Sequence, residues 1–271
     1  MNPPASLAAA QWWILTRSHG EAGGVNKKIN EQKVMETNDV MNLPVGLVVV
    51  DLETTGLDAE RCGVLEIGAV RWDGAVWYCR RALERGRRVE PEALECNGID
   101  AVDLGLGVEG RRAFALFAEW LRGGMEDLPE KRKLVLVGRN APFDRDFLAG
   151  TAAGECFGRT TLDLHGAAMV AAVRGGRGEV VGGKMDAVYG AACELGAEPR
   201  PHHALRGALH EWECLRRLCG LSPMPSAAFE RFLLEMGHEW RRDKDVVFAS
   251  EAGWVSQMVA LMGAALEGGA E

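Results

Sequence analysis

Residues 47–57 read LVVVDLETTGL. The run opens with four aliphatic residues in a row, a pattern that suits a strand covered on both faces. It then breaks into Asp51-Leu52-Glu53, so two carboxylates stand two positions apart. On a strand, residues i and i+2 point to the same face. Two carboxylates on one face of a buried strand repel each other, and burial penalises the charge on both. A hard cation such as Mg²⁺ or Mn²⁺ relieves that cost, because it prefers oxygen ligands. The plainer alternative is a strand end whose acids point into water. Thr54, Thr55 and Gly56 follow at once, with hydroxyls, backbone N–H groups and a pliable glycine.

Downstream, VLEIGAVRWDGAVWYCRRAL (64–83) places Asp73-Gly74 between two β-prone runs. This is a hairpin signal, and it predicts an antiparallel start to the sheet. Trp72 and Trp77 flank the turn and read as packing residues. Pro91 to Cys96 predicts a short helix with Pro in its first turn. Arg111 to Arg122 carries apolar residues at helical spacing. Lys133 to Gly138 is a second buried strand, Pro142 to Ala149 a helix with Phe143, Phe147 and Leu148 inward, and 161–173 a strand end followed by a helix. Two further helices are expected at Lys184–Leu195 and Ala204–Leu218. Strands first, then helix and strand in alternation, predict an α/β domain with a mixed sheet flanked by helices.

The flanks are less informative. Residues 1–43 are expected to form an N-terminal extension, polar and Gly-rich from 18 onward, and flexible. Its apolar start lacks a preceding basic residue and makes a poor secretory signal. The segment CGLSPMPS (219–226) reads as a boundary. Residues 221–271 beyond it are expected to form a small C-terminal helical appendage.

Composition narrows the classes. Of 271 residues, 47% are hydrophobic and 26% charged, which excludes collagen-like, coiled-coil and wholly disordered chains. No apolar run is long enough for a membrane helix. A formal charge of -8 disfavours coating nucleic acid by bulk charge, and leaves room for local contacts through metal and a small basic rim. Candidate rim groups are Arg80, Arg81, Arg85, Arg87 and Arg88, then Arg111 with Arg112, and Lys131 with Arg132 and Lys133. Each such run is also what a solvated face looks like. The seven cysteines are odd in number and show no C-x-x-C pair, so reduced thiols in a cytoplasmic protein are expected.

Four stretches occur in an order that carries more weight than any one of them: VVVDLETTGL (48–57), EIGAVR (66–71), GRNAPFDRDFL (138–148) and PHHALRGALHEWECL (201–215). Together they resemble the DEDDh 3′–5′ exonucleases, the group that includes the proofreading epsilon subunit of bacterial DNA polymerase III. RRVEPEALECNGI (87–99) resembles the family's segment between its third strand and next helix. The resemblance covers roughly 45–220 and implies a ribonuclease-H-like fold with two divalent metal ions at the sheet edge. It implies Asp51, Glu53 and Asp144 as metal ligands and His202 as the general base. It implies that Thr54, Thr55, Gly56 and Leu57 meet the terminal nucleotide, with Leu57 wedged against its base. Asn140 and Phe143 would shape the pocket, Phe143 being equally suited to the core.

The chain departs from the family at one point. The family has an aspartate five positions after the histidine, and here that position is Gly207. Glycine offers no ligand. Glu211 lies one helical turn further on the same face, and is a candidate substitute ligand if it is not simply a solvated helix acid. The expected activity is hydrolysis of terminal phosphodiesters of DNA or RNA to nucleoside 5′-monophosphates, impaired if the site at Gly207 is weakened. The alternative is a decayed exonuclease fold that binds nucleic acid or a partner without cleaving. Expected partners are single-stranded 3′ ends, and a polymerase or other protein if 221–271 serves as a docking tail.

Overall fold

The computed structural model of the protein describes residues 43–126, 128–130, 132–239 and 247–268. The expected N-terminal extension therefore lies outside the described residues, except for Leu43, which is buried in the core.

The aliphatic run forms β1 (Leu47–Thr54), and Val48, Val49 and Val50 are all buried. β1 runs antiparallel to β2 (Val64–Arg71), which pairs antiparallel with β3 (Val76–Arg80). The turn between them is the expected one. The Asp73 carboxylate accepts from the Ala75 N–H (3.0 Å) and from Arg71 Nη2 (2.6 Å), and Gly74 takes a positive φ of 74° that suits glycine. On its other side β1 runs parallel to β4 (Leu134–Gly138), and β4 runs parallel to β5 (Phe157–Asp163). A short strand, β6 (Val247–Ala249), pairs antiparallel with β3. The order among the described residues is β5-β4-β1-β2-β3-β6. Antiparallel neighbours on one side of β1 and parallel ones on the other make a mixed sheet of the expected ribonuclease-H-like kind.

Helices cover both faces. Adjacent residues of β3 show this, since neighbouring side chains on a strand point to opposite faces. Trp77 stacks on Phe117 of α2 (Gly110–Met125) at 4.7 Å, while Tyr78 stacks on His203, just before α6 (Ala204–Leu218), at 4.9 Å. The inward side of α2 is Ala113, Phe114, Phe117, Ala118 and Leu121, at the helical spacing read from the sequence. The other helices of this part are α1 (Pro91–Asn97), α3 (Ala141–Leu148), α4 (Leu164–Arg174) and α5 (Met185–Cys193).

Beyond residue 221 the chain is helical, as expected, in α7 (Ser226–Glu239) and α8 (Trp254–Gly268). It also supplies β6, which the sequence did not announce. Phe229, Phe232, Trp254, Val255 and Met258 are buried in the same hydrophobic cluster as the sheet. The buried Glu213 carboxylate ties down the connection. It takes Arg216 and Arg217, each at 2.7 Å, and the Met224 N–H at 2.9 Å. The proline-rich segment is thus held onto α6 rather than left as a hinge.

Candidate active site

The position of α6 sets the site. Gly68 on β2 lies directly beneath its first turn, where a Cβ would collide with the Ala204 backbone. The neighbouring Glu66 reaches up to accept from the Ala204 N–H at 3.2 Å, and also accepts from Tyr78 Oη at 3.1 Å. A carboxylate at a helix N-terminus satisfies a free N–H and complements the helix dipole. Gly68 pairs with Asp51 across the strands, and Glu66 with Glu53. Directly opposite residues share a face, so both acids of β1 face the side where α6 sits.

Asp51, Asp144, Glu198 and Glu211 come together there with the Arg139 guanidinium. Asp51 comes from β1, Asp144 from the first turn of α3, Glu211 from α6 and Glu198 from the stretch between α5 and α6. Burial holds Asp51 well above the usual carboxylate range, and Glu211 and Glu198 push it further. Burial also raises Asp144, with Asp51 adding to it, while backbone N–H groups of Asp144 itself and Leu52 oppose the rise. Glu211 is raised by burial as well, against the pull of Arg139. Each of the three is penalised for carrying its charge.

Arg139, at the end of β4, is the counter-charge. Its Nη1 lies 3.5 Å from Glu198 Oε2 and its Nε 3.7 Å from Glu211 Oε1. Its backbone N–H donates to Glu211 Oε2 at 3.1 Å, and its guanidinium sits 5.2 Å above the Tyr189 ring. Burial works against its charge, but Glu211 and Glu198 outweigh that and raise its pKa. Glu211 is therefore not a solvated helix acid: it is only 3% exposed, and both its oxygens meet Arg139.

The two adjacent histidines divide. His203 is buried against Tyr78. His202 is half-buried on the site side, its ring Nδ1 3.4 Å from Glu198 Oε2 and its backbone N–H donating to Cys96 O at 3.1 Å. Burial lowers its pKa, and Glu198 partly offsets this. A neutral imidazole is the form that accepts a proton.

Glu53 is buried and lines a neighbouring cavity of about 320 Å³ with Thr54, Gly56, Leu57, Asn97 and Phe143. The loop 54–57 is fastened to α1: Asn97 Nδ2 donates to Thr54 O at 3.2 Å, and the Glu90 N–H to Thr55 O at 2.7 Å. The two threonine hydroxyls are engaged within the protein. Thr54 Oγ1 donates to Gly56 O (2.8 Å), and Thr55 Oγ1 donates to Arg88 O (2.6 Å) and accepts from the Gly63 N–H (2.9 Å). Leu57 stands out from the loop, 80% exposed. Phe143 is both a pocket wall and a core neighbour, 4.9 Å from Phe147. Asn140 stands exposed at the residue before α3, makes no capping side-chain hydrogen bond to it, and is not among the residues lining this cavity.

The basic rim is smaller than the sequence suggested. Arg80 and Arg81 are buried, Arg81 over the Phe114 ring at 4.2 Å with its Nη2 2.6 Å from Glu84. Arg85, Arg87 and Arg88 stay exposed, as do Arg111, Arg112, Arg132 and Lys133, while Lys131 lies outside the described residues. The two site residues not singled out in advance are Glu198 and Arg139. Arg139 stands inside a quoted motif, but nothing in its spacing shows which acids it meets. Glu198 is in a stretch without periodicity, and offers no signal at all.

The donor set has the chemistry for a hard divalent cation: buried, mutually repelling carboxylate oxygens. Glu198 Oε1 adds to this, being buried without a hydrogen-bond partner. Among the described residues, no three His, Cys, Asp or Glu side chains are already gathered closely enough to hold an ion as they stand. Asp51 is turned towards Gly207, and Arg139 engages Glu198 and Glu211.

No protein-family model matches the chain. Ribonuclease T of Haemophilus influenzae (strain PittGG) is 30% identical over 115 residues, which are 39% of this chain and 50% of that protein. Ribonuclease T of Salmonella choleraesuis (strain SC-B67) is 31% identical over 115 residues, 39% of this chain and 53% of that one. Ribonuclease T of Yersinia pseudotuberculosis serotype O:1b (strain IP 31758) is 33% identical over 116 residues, with the shares again 39% and 53%. The chain spans about half the length of the curated relatives it matches. Among solved structures, cell-death related nuclease 4 is similar at a TM-score of 0.45, with 15% identity over 64% of this chain and 63% of that one.

Proposed function

We propose that the protein is a metal-dependent 3′–5′ exonuclease that hydrolyses terminal phosphodiesters of single-stranded DNA or RNA to nucleoside 5′-monophosphates. One observation carries this reading: buried carboxylates from β1, α3 and α6 converge with His202 beside a cavity of about 320 Å³. The similarity to Ribonuclease T supports it.

Asp51, Glu53 and Asp144 would hold the Mg²⁺ or Mn²⁺ ions. Such ions, when bound, stabilise the attacking and leaving oxygens of an in-line displacement. The chain's own residues do the rest. His202, neutral and held near Glu198, takes the proton of the attacking water. The loop 54–57 contributes its backbone, since its threonine hydroxyls are engaged, and Leu57 packs against the terminal base. Glu53, Glu90 and Glu92 line the cavity with Leu57 and Phe143, so it suits a sugar and base better than a phosphate. The phosphates would follow the exposed arginines instead. All seven cysteines are free, in keeping with a cytoplasmic protein.

A second reading, a fold that binds nucleic acid without cleaving it, is favoured by Gly207 and by the way Arg139 engages Glu198 and Glu211. A polymerase-docking role for 221–271 has less in its favour, because the core and Glu213 already engage this segment.

A 5′-labelled single strand incubated with Mg²⁺ or Mn²⁺ separates the two. Stepwise shortening from the 3′ end, abolished by Asp51→Ala, is expected. Strand binding without shortening in either metal would give the second reading the field.

A further inference from the structure

Gly207 marks the point where α6 passes Asp51. A Cβ there would collide with Asp51 Oδ2, and would lie 2.8 Å from Asp51 Cγ and 3.3 Å from Glu198 Oε1. The volume that a longer side chain would fill is thus bordered by two carboxylates from other parts of the chain. Glu198 is 8% exposed. Its Oε2 is engaged by Arg139 (3.5 Å) and His202 (3.4 Å), which fix the direction of the group. Its Oε1, aimed at the Gly207–Asp51 gap, is buried and has no hydrogen-bond partner. A buried carboxylate oxygen without a donor is costly, and native proteins rarely keep one without a use.

We propose that Glu198 supplies through space the acid that the helix lacks at Gly207, so that it joins Asp51, Glu53 and Asp144 in binding divalent cations. This rests on the nuclease reading and deepens it. Glu211 is the candidate on grounds of helical spacing, but one of its oxygens accepts the Arg139 backbone N–H at 3.1 Å and the other lies 3.7 Å from Arg139 Nε. Glu211 positions Arg139, and Glu198 carries the open oxygen. Gly207 then has its own rationale, since a side chain on α6 would displace Asp51 and crowd Glu198.

Mn²⁺ binding, followed by electron paramagnetic resonance and calorimetry, tests this on the parent, Glu198→Gln, Glu211→Gln and Asp51→Asn. Glu198→Gln should weaken Mn²⁺ binding on the order of tenfold or more. It should weaken it more than Glu211→Gln does. Parent-like Mn²⁺ binding by Glu198→Gln, or a larger loss in Glu211→Gln, overturns the assignment. Should Glu198→Gln fail to fold, the pair Glu198→Ala and Glu198→Asp decides: a smaller loss of Mn²⁺ affinity where the carboxylate is kept supports the assignment, and equal losses, or none, overturn it. A parent that binds Mn²⁺ and shortens strands while Glu198→Gln matches it removes only this proposal. A parent that binds no Mn²⁺ and shortens nothing removes the nuclease reading as well.

Discussion

The backbone of Ala204, the first residue of α6, fills the space that a Cβ on Gly68 would need. This contact seats α6 on β2 and brings Gly207 against Asp51, the strand partner of Gly68. Gly68→Ala should therefore force the helix outward. Overpacking of this kind costs about 3 kcal/mol. The denaturant midpoint should fall accordingly, and Mn²⁺ binding should weaken with it. A midpoint equal to that of the parent would contradict so close a contact.

Arg139 is the one guanidinium described among Asp51, Asp144, Glu198 and Glu211. Arg139→Gln leaves those acids without it. Removing one partner of a buried ion pair costs about 3–5 kcal/mol. In chelator the variant should unfold at a clearly lower denaturant concentration than the parent. Mg²⁺ should stabilise it more than it stabilises the parent, since the ion would then meet more unbalanced charge. Equal stability in chelator would show that the guanidinium does not hold the acids together.

Asp51, Asp144 and Glu211 all have raised pKa values in the folded protein. The folded state therefore binds more protons than the unfolded one over that interval. Their contribution to stability is fully present below the ordinary carboxylate range, and is lost as pH rises through the raised folded values. In chelator the parent should lose stability steadily as pH rises from the ordinary carboxylate range through the raised folded values. Asp51→Asn removes one of the repelling acids. It should be more stable than the parent at neutral pH, with a shallower decline as pH rises. Parallel pH profiles for the two proteins would mean that Asp51 does not titrate in this way.

Leu57 is exposed on a loop whose other contacts hold it to α1. Leu57→Ala should change stability by less than about 0.5 kcal/mol. If its side chain packs on the terminal base, kcat/KM on a single strand should fall about tenfold, as expected when a leucine side chain worth about 1.5 kcal/mol of apolar burial is removed. A loss of stability with unchanged kinetics would place Leu57 in the fold rather than at the substrate.

Much of this architecture was legible in the chain. The Val48–Val50 run, the Asp73-Gly74 turn and the spacing of Phe114, Phe117 and Leu121 report local geometry, and local geometry repeats along the sequence. The placement of Asp51 and Glu53 on one face follows from the strand period alone. β6 was not legible, since three residues are too few to show a period and its pairing with β3 is supplied from afar. The five arginines between 80 and 88 looked like one basic patch. Arg80 and Arg81 are buried instead, the first at the end of β3 and the second just beyond it, beside the ring of Phe114.

The sequence by itself determined the helices, the longer strands and which carboxylates share a strand face, because these depend on neighbours one to four positions away. Only the tertiary structure decided that Glu198 stands beside Gly207 and that Arg139 faces Glu198 and Glu211. Charges act through space with no regard for their separation along the chain. Which of them meet is settled by where α6 comes to rest on the sheet, and the absence of a side chain at Gly68 allows it to rest there.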